Sequence, residues 1–180
     1  DSSTSRGLGD VYKRQAVAKI IKEASVTDSI VVVVSAMSGE TNRLIKLAKS
    51  FGDNPSKREF DALISTGEKV SAALLAMALH QIGVDAKSYT ASQIAMKTTD
   101  SYSKARILGV NSKKIQDALD NGIIPIITGF QGITESGDVT TLGRGGSDTT
   151  AVAIAAQMKA KRCDIYTCLL YTSPSPRDVE

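Results

Sequence analysis

The sequence has no tryptophan, one histidine, two cysteines and four prolines, and only 4% of its 180 residues are aromatic. Two cysteines cannot form a disulfide framework of the kind that staples small secreted domains. Neither Cys163 nor His80 has other residues at metal-ligand spacing around it. We therefore expect Cys163 to be a small core side chain in a reducing, cytoplasmic setting, and we expect no resident metal site.

Long hydrophobic runs are also missing. The strongest one, Ile30–Val34, is far shorter than the roughly 18 residues that a membrane helix needs, so we expect no membrane partner. The formal net charge is +3 and the basic residues are scattered along the chain, which argues against a nucleic-acid partner. A hydrophobic content of 42% is enough for the core of one ordinary domain.

The two ends of the chain are related through DNA rather than through protein chemistry. One codon choice for Ser5–Gln15 has a reverse complement that encodes Cys168–Arg177 when it is read one base out of frame. This pattern resembles a transposase-type sequencing adaptor that was ligated to both ends of a gene fragment. We therefore expect residues 1–15 and 168–180 to be translated adaptor, and residues 16–167 to be a partial catalytic domain.

Between these ends, strand patterns alternate with helix patterns. Ser29–Ser35 and Ile123–Thr128 are apolar throughout, as in strands that are covered on both faces. Pro125 is an objection to a central position for the second of these. The alternation predicts an α/β fold, a three-layer α/β/α sandwich around a mostly parallel sheet, whose ligand site lies beyond the carboxyl ends of the strands. The remaining predicted segments are helices at 16–24, from 41, 57–82, 113–121 and 149–160, strands at 86–90 and from 164, and a hairpin or excursion outside the core at 91–110.

The residues after the first apolar strand are small and rich in hydroxyl groups. The segment Ser35–Asn42 reads SAMSGETN and leads into a helix. A helix start that carries Ser and Thr can bind an anion, because its first amides are unpaired. The alternative is that Ser38 or Thr41 only caps the helix, and the local pattern leaves both open.

The most informative segment is Leu142–Thr150, LGRGGSDTT, which leads into an Ala-rich helix. Its glycines allow the backbone to approach a ligand closely, and Arg144 offers a planar fork suited to a carboxylate or phosphate. Asp148 is either a helix cap or a carboxylate that organises cations around a phosphoryl group. A glycine-flanked arginine contributes nothing to a plain strand–helix connection, so the pattern favours an anion site.

Glu68 follows Gly67 inside a helical stretch. A lone glutamate is usually a surface residue. A site for an amino acid, however, needs an anion for the ammonium group and a cation for the carboxylate, and Glu68 with Arg144 would supply that pair.

Taken in order, these motifs resemble the aspartokinases, a family of the amino-acid kinase superfamily. The segments that carry the resemblance are Ser35–Asn42, Ser65–Val70, Ser88–Gln93, Ala105–Ile107, Gly129–Gly132 and Thr140–Ala156. The combination of SAMSGETN with LGRGGSD sets this family apart from sister kinases that act on glutamate, acetylglutamate or UMP. The resemblance implies the phosphorylation of L-aspartate to L-aspartyl 4-phosphate by ATP with Mg²⁺, in a homo-oligomeric enzyme.

The resemblance also implies roles for individual residues. Ser35 and Thr41 are expected to contact the substrate, and Glu68 and Arg144 to bind its ammonium and α-carboxylate groups. The phosphoacceptor side is expected to be lined by Gly145, Gly146 and Ser147. Asp148 is the expected catalytic residue, which orients the catalytic lysine and the metal-bound phosphates.

Segments of the family that have no match here qualify this expectation. No lysine in the chain matches the family's Lys-Phe-Gly-Gly-type opening, and nothing after residue 167 matches its Asp-rich nucleotide segment. We therefore expect this polypeptide to bind ATP poorly and to turn over negligibly. The alternatives are a glutamate or N-acetylglutamate kinase, a non-catalytic binding protein on the same scaffold, or a fragment without a function of its own.

Overall fold

The computed structural model describes residues 2–166, with side chains from residue 11 onward. Residues 167–180 lie outside the described residues. The described part contains six helices and seven strands. In chain order they are α1 Ser2–Ala24, β1 Val32–Val34, α2 Glu40–Lys49, α3 Lys57–Ile64, α4 Thr66–Gln81, β2 Ala86–Tyr89, β3 Lys97–Thr98, β4 Ile107–Gly109, α5 Lys113–Asp120, β5 Ile124–Thr128, β6 Gln131–Ile133, β7 Val139–Thr141 and α6 Gly146–Gln157.

The central sheet is parallel and has the order β1-β5-β2. Its two faces are covered by different helices, which confirms the three-layer α/β/α prediction. Because successive side chains of a strand point to opposite faces, Ile126 of β5 packs on one side with α1 and α4, and Ile127 packs on the other with α5 and α6. A second sheet, with the order β4-β3-β6-β7, continues from the end of β5.

A sharp bend joins the two sheets. β5 ends at Thr128 and β6 begins at Gln131, and between them Phe130 has a φ of 70°. The segment Gly129–Gly132 is therefore a bend that runs directly into a strand. Gly132 has no room for a side chain, because a Cβ atom there would lie 2.2 Å from Cγ2 of Thr98.

The objection to a central β5 is wrong, and the pairing shows why. The N–H of Ile124 donates to Asp85 on the β2 side, and that of Gly129 donates to Val34 on the β1 side. Since donors alternate along a strand, the Pro125 nitrogen faces β1. The ladder with β1 begins only one residue later, at Ile126, so proline interrupts no ladder hydrogen bond.

Other predictions need correction. The first strand is limited to Val32–Val34, because only these residues pair with β5. The 91–110 segment does form the β3–β4 hairpin, but its first part is not outside the core: Ala91, Ile94 and Met96 are buried. Asp164–Tyr166 forms no strand, since these residues have no ladder partner in the described part of the chain.

The expected core position of Cys163 is also wrong. Its thiol is free and the residue is exposed, because it follows α6 in a segment that packs against neither face of the sheet. By length and composition alone, Lys57–Gln81 could cross a membrane, with a mean hydropathy of 1.4 in its most apolar window. Half of that window is buried, and the stretch is broken at Ser65, as expected for a helix pair that forms a core.

Candidate functional site

The glycine-rich loop before α6 has a backbone that few other residues could adopt. Gly143 and Gly145 have φ values of 82° and 73°, in the left-handed region. Gly146, the first residue of α6, packs so closely that an added Cβ atom would lie 2.7 Å from the Phe130 ring. Asp148 lies in the first turn, but the N-cap is Gly145 and no side chain caps the helix. The capping interpretation of Asp148 is therefore wrong.

The loop after β1 enters its helix in the same way. Gly39 is the N-cap of α2, with a φ of 81° and no side-chain capping hydrogen bond. Neither Ser38 nor Thr41 caps α2, so that alternative is wrong as well. Ser35 is exposed directly after β1, and Thr41 is half-buried in the first turn of α2. The first amide of each of these two helices, on Glu40 and Gly146, donates to a carbonyl three residues earlier. The helix starts thus offer to a ligand the amides that come after these residues.

Glu68 is the most unusual charged group of this region. It lies in the first turn of α4 and is only 2% exposed. Its Oε1 atom accepts a hydrogen bond from the Ala36 N–H at 3.2 Å, whereas Oε2 is buried and has no partner among residues 11–166. Burial raises the pKa of the Glu68 carboxyl to about 7, because desolvation disfavours its charged form. The expectation for a lone surface glutamate therefore does not hold.

Gly67 explains how Glu68 comes so close to the β1 loop. A Cβ atom on Gly67 would lie 2.8 Å from the Cβ of Ala36. Only a glycine lets the first turn of α4 pack directly on the loop that follows β1. Local packing of α4 thus places the Glu68 carboxylate at the carboxyl edge of the central sheet.

Close backbone packing connects this edge to α6. Gly129, just after β5, donates its N–H to the Val34 carbonyl at 2.9 Å. A Cβ atom on Gly129 would lie 2.8 Å from the Ser147 hydroxyl. Thr150 adds a further link, since its hydroxyl accepts the Phe130 N–H at 3.1 Å. The ends of β1 and β5 and the start of α6 therefore meet at one edge.

The structure does not bring every predicted residue into contact. Glu68 is buried, whereas Arg144 and Asp148 are exposed. Within residues 11–166, Arg144 forms no ion pair, and no hydrogen bond joins it to Glu68. An open groove of about 620 Å³ lies beside α6 and includes Asp148 on its wall. The other residues of its lining are Ala105, Arg106, Ile107, Leu142, Thr149, Val152 and Ala153.

Asp61 is a buried charged residue that the sequence reasoning missed. It is 0% exposed and accepts four hydrogen bonds, two each from Ser103 and Thr141. The signal was present in the sequence. Asp61 is followed at helical spacing by Ile64 and Glu68, so the carboxylate occupies the buried stripe of α3 and α4.

The described residues contain no group of three or more His, Cys, Asp or Glu side chains that could hold a metal ion. The side chains and amides at this edge support two kinds of binding. A buried carboxylate with a spare oxygen can receive a cationic group. Glycine-rich helix starts and an exposed guanidinium can receive anions.

A three-layer α/β domain with these groups at the carboxyl edge of its sheet matches one known class. The family model described as the amino acid kinase family matches residues 3–168, and the chain belongs to this family. The predicted superfamily is thereby confirmed. The match includes residues 3–15, whose origin in adaptor DNA stays a prediction.

Individual relatives are aspartokinases. The aspartokinase of Geobacillus stearothermophilus is 52% identical over 161 residues, which is 89% of this chain and 40% of that protein. The crystal structure of aspartate kinase from Synechocystis matches with a TM-score of 0.72 at 45% identity. The match covers 87% of this chain and 26% of the Synechocystis chain. The structure of E. coli aspartokinase III in complex with aspartate and ADP has a TM-score of 0.74 at 25% identity, with coverage of 86% and 45%. The chain thus spans about 40% of the length of the curated relatives it matches.

Proposed function

We propose that this chain carries the amino-acid-binding half of an aspartate kinase site, in which the side-chain carboxylate of L-aspartate accepts the γ-phosphoryl group of ATP. The observation that carries the proposal is the Glu68 carboxylate. It is buried at the carboxyl edge of β1 and β5, with Oε2 unpartnered. The relatives named above include one crystallised with aspartate and ADP, which supports the choice of ligand.

The substrate ammonium group would bind the free oxygen of Glu68. A buried carboxylate without a partner is costly, and a cationic ligand offsets that cost. The α-carboxylate would bind the Arg144 guanidinium, whose planar fork matches it. Ser35 and Thr41, from the loop after β1 and the start of α2, would contact the same ligand.

Phosphoryl transfer would occur at the start of α6. An oxygen of the substrate side-chain carboxylate attacks the γ-phosphorus, a new O–P bond forms, and the bond to the ADP oxygen breaks. Gly145, Gly146 and Ser147 would line this side of the site, and the amides of Gly145 and Ser147, together with the positive end of the α6 dipole, would stabilise the negative charge of the transferring group. Such a reaction needs positioning and positive charge more than covalent chemistry.

Asp148 fits a role at the metal. A magnesium ion that travels with ATP needs only one or two protein carboxylates, because phosphates and water supply its other ligands. Asp148 is exposed in the first turn of α6, and its side chain does not cap the helix. Its carboxylate would therefore be available to the magnesium ion that carries the phosphates. The proposal also includes a cytoplasmic location and a homo-oligomeric full-length enzyme.

Calorimetric titration of the purified chain tests the binding step. L-aspartate should bind, while D-aspartate, L-glutamate and N-acetyl-L-glutamate should bind at least about tenfold more weakly. D-aspartate has the opposite hand at its α-carbon, L-glutamate carries its side-chain carboxylate one carbon further out, and the N-acetyl group leaves no ammonium for Glu68. Glu68→Gln and Arg144→Ala should each weaken L-aspartate binding. A preference for either glutamate ligand would point to a sister kinase and would refute the proposal.

The catalytic step is tested on the complete gene that contains this segment. Aspartate-dependent ADP release should appear, and hydroxylamine should trap the acyl phosphate as a hydroxamate. Asp148→Asn should lower this turnover by at least about a hundredfold while leaving aspartate binding in place. Aspartate binding without any hydroxamate from the complete enzyme would indicate a non-catalytic binding protein instead.

A further inference from the structure

One face of α3 holds β7 at both of its ends. The Nη2 atom of Arg58 lies 2.6 Å from Oδ1 of Asp138, the residue just before β7. Asp61, three residues later in α3, accepts hydrogen bonds from Thr141, the last residue of β7. Residues three apart lie on one helix face. This face therefore holds the strand that leads into the glycine-rich loop.

The Asp61 carboxylate is saturated with donors. Its Oδ2 atom accepts the backbone N–H groups of Ser103 and Thr141, each at 2.8 Å. Its Oδ1 atom accepts the two hydroxyl groups of the same residues, each at 3.0 Å. A buried carboxylate is tolerated only when its oxygens are hydrogen-bonded, and hydrogen bonds to a charged group are the strong ones. Asp61 thus fixes two segments relative to α3.

The Thr141 segment runs into the loop that bears Arg144, and the Ser103 segment packs against it. The Ala105 N–H donates to the Thr141 carbonyl at 3.0 Å. A Cβ atom on Gly143 would lie 3.3 Å from the Ser103 carbonyl oxygen. The Gly146 N–H donates to the Gly143 carbonyl at 3.1 Å and closes the loop around Arg144. The position of this loop therefore depends on Ser103 and Thr141.

Asp61 also belongs to the helical unit that bears Glu68. The Ser65 N–H donates to the Asp61 carbonyl at 3.1 Å, and α4 begins at the next residue. Gln131 of β6 donates from Nε2 to the Ser65 carbonyl at 2.9 Å. The α3–α4 junction is thereby attached to the β6–β7 hairpin on the side of the site.

We propose, on the basis of the proposed function above, that Asp61 is a positioning residue that sets the separation of Glu68 and Arg144. It touches no substrate. It acts through Ser103 and Thr141, which hold the Arg144 loop at a fixed place relative to the α4 turn that carries Glu68. Because small displacements of binding groups weaken a rigid ligand's affinity strongly, loss of this link should loosen the amino-acid pocket while the fold persists.

Four variants separate positioning from general stability. Asp61→Leu and Thr141→Val remove hydrogen bonds between the Asp61 carboxylate and its two partners, Ser103 and Thr141. In Asp61→Asn, the amide oxygen can still accept both N–H groups, and the amide NH2 can donate to both hydroxyls. The control is Thr140→Val, at the residue that precedes Thr141 in β7. It removes the buried 2.5 Å hydrogen bond between the hydroxyls of Thr140 and Thr98.

The expected pattern in the full chain is specific. Asp61→Leu and Thr141→Val should weaken L-aspartate binding about tenfold or more, and Asp61→Asn should stay within about threefold of the wild type because its contacts persist. Thr140→Val should keep its affinity for L-aspartate within about twofold of the wild type, although we expect it to lower thermal stability as much as Thr141→Val does. In the free chain, the Leu142 and Gly146 amides should exchange with solvent at least about tenfold faster in Thr141→Val than in Thr140→Val.

Equal affinity losses in Thr140→Val and Thr141→Val would overturn the proposal, since they would indicate general destabilisation. Unchanged amide exchange in Asp61→Leu or Thr141→Val would overturn it as well. If Asp61→Leu does not fold, Ser103→Ala and Thr141→Val decide by the same criteria. If the wild-type chain does not bind aspartate, the proposed function fails, whereas the exchange rates still test whether Asp61 positions the loop.

Discussion

The Glu68 Oε1 atom lies 3.2 Å from the backbone nitrogen of Ala36, while Oε2 of the same carboxylate is buried without a partner in the described part of the chain. One backbone donor does not replace the hydration of a carboxylate. Burial therefore raises the pKa of Glu68 to about 7. Two measurable consequences follow, one for ligand binding and one for stability.

The affinity for L-aspartate should depend on pH through Glu68. The ligand's ammonium group requires the ionised carboxylate, so affinity should fall about tenfold per pH unit well below pH 7 and level off above pH 8. Near pH 7, binding should release a proton. Calorimetry in two buffers with different ionisation enthalpies measures both effects. An affinity that stays constant from pH 5.5 to 8 would contradict the assignment of Glu68.

Glu68→Gln should stabilise the chain at high pH. A pKa raised from 4.5 to about 7 makes the folded state lose stability as the pH rises from 4.5 to 7. The loss amounts to at most about 3 kcal/mol at pH 8 and vanishes below pH 4.5. Glutamine removes the charge and hence this loss.

Urea unfolding of Glu68→Gln at pH 4 and pH 8 measures that difference. The exposed Glu135→Gln is a matched control and should change the free energy of unfolding by less than about 0.5 kcal/mol at both pH values. A Glu68→Gln variant that is less stable than the wild type at pH 8 would show that the ionised carboxylate has a structural partner.

Arg144 should contribute to binding and not to stability. It is exposed and has no ion pair within the described residues, so Arg144→Ala should leave the melting temperature unchanged. The same variant should weaken L-aspartate binding about 10- to 100-fold, the range expected for a charge-assisted hydrogen bond. Arg144→Lys should recover only part of this, because an ammonium group cannot form the two parallel bonds of a guanidinium. Lys114→Ala, on the exposed side of α5, should alter neither quantity.

Gly129→Ala should damage the site through packing alone. The new Cβ atom would lie 2.8 Å from the Ser147 hydroxyl and 2.9 Å from the Val34 carbonyl oxygen, and the latter belongs to a paired strand and cannot move away. We expect a loss of about 1–3 kcal/mol in the free energy of unfolding, with weaker aspartate binding. Gly109→Ala, where an added Cβ atom meets nothing within 4 Å, is the control. Equal stability of the two variants would mean that β1, β5 and α6 do not meet as closely as described.

Much of the architecture could be predicted because it depends on local pattern. The β-branched run at Ile30–Val34, the helix-breaking residues Gly52 to Pro55 after α2 and Gly122 after α5 each specify an element or its end within a few residues. The central position of β5 could not be predicted from Pro125, because the cost of a proline depends on which neighbour its nitrogen faces. That depends on the register with β1, which is a property of two strands distant in sequence.

The candidate site, like the fold, could be predicted from the sequence only in part. The residue types of Ser35–Asn42 and Leu142–Thr150, and their order along the chain, were sufficient to indicate an anion site and a family. The spacing of Asp61, Ile64 and Glu68 indicates one shared helix face, but it does not show that this face is covered. A carboxylate on a helix is buried or exposed according to what packs on that helix, and here the β1 loop and the end of β7 do so.

The sequence alone therefore determined the family, the order of the elements and the chemistry available at the strand ends, since these depend on residue type and short-range spacing. Only the tertiary structure decided that Glu68 has one unpartnered oxygen, that Gly129 joins β1 to α6, and that Asp61 links the elements bearing Glu68 and Arg144. Each of these depends on contacts between residues that are 18 to 95 positions apart, and the free energy of such contacts exists only once the chain has folded.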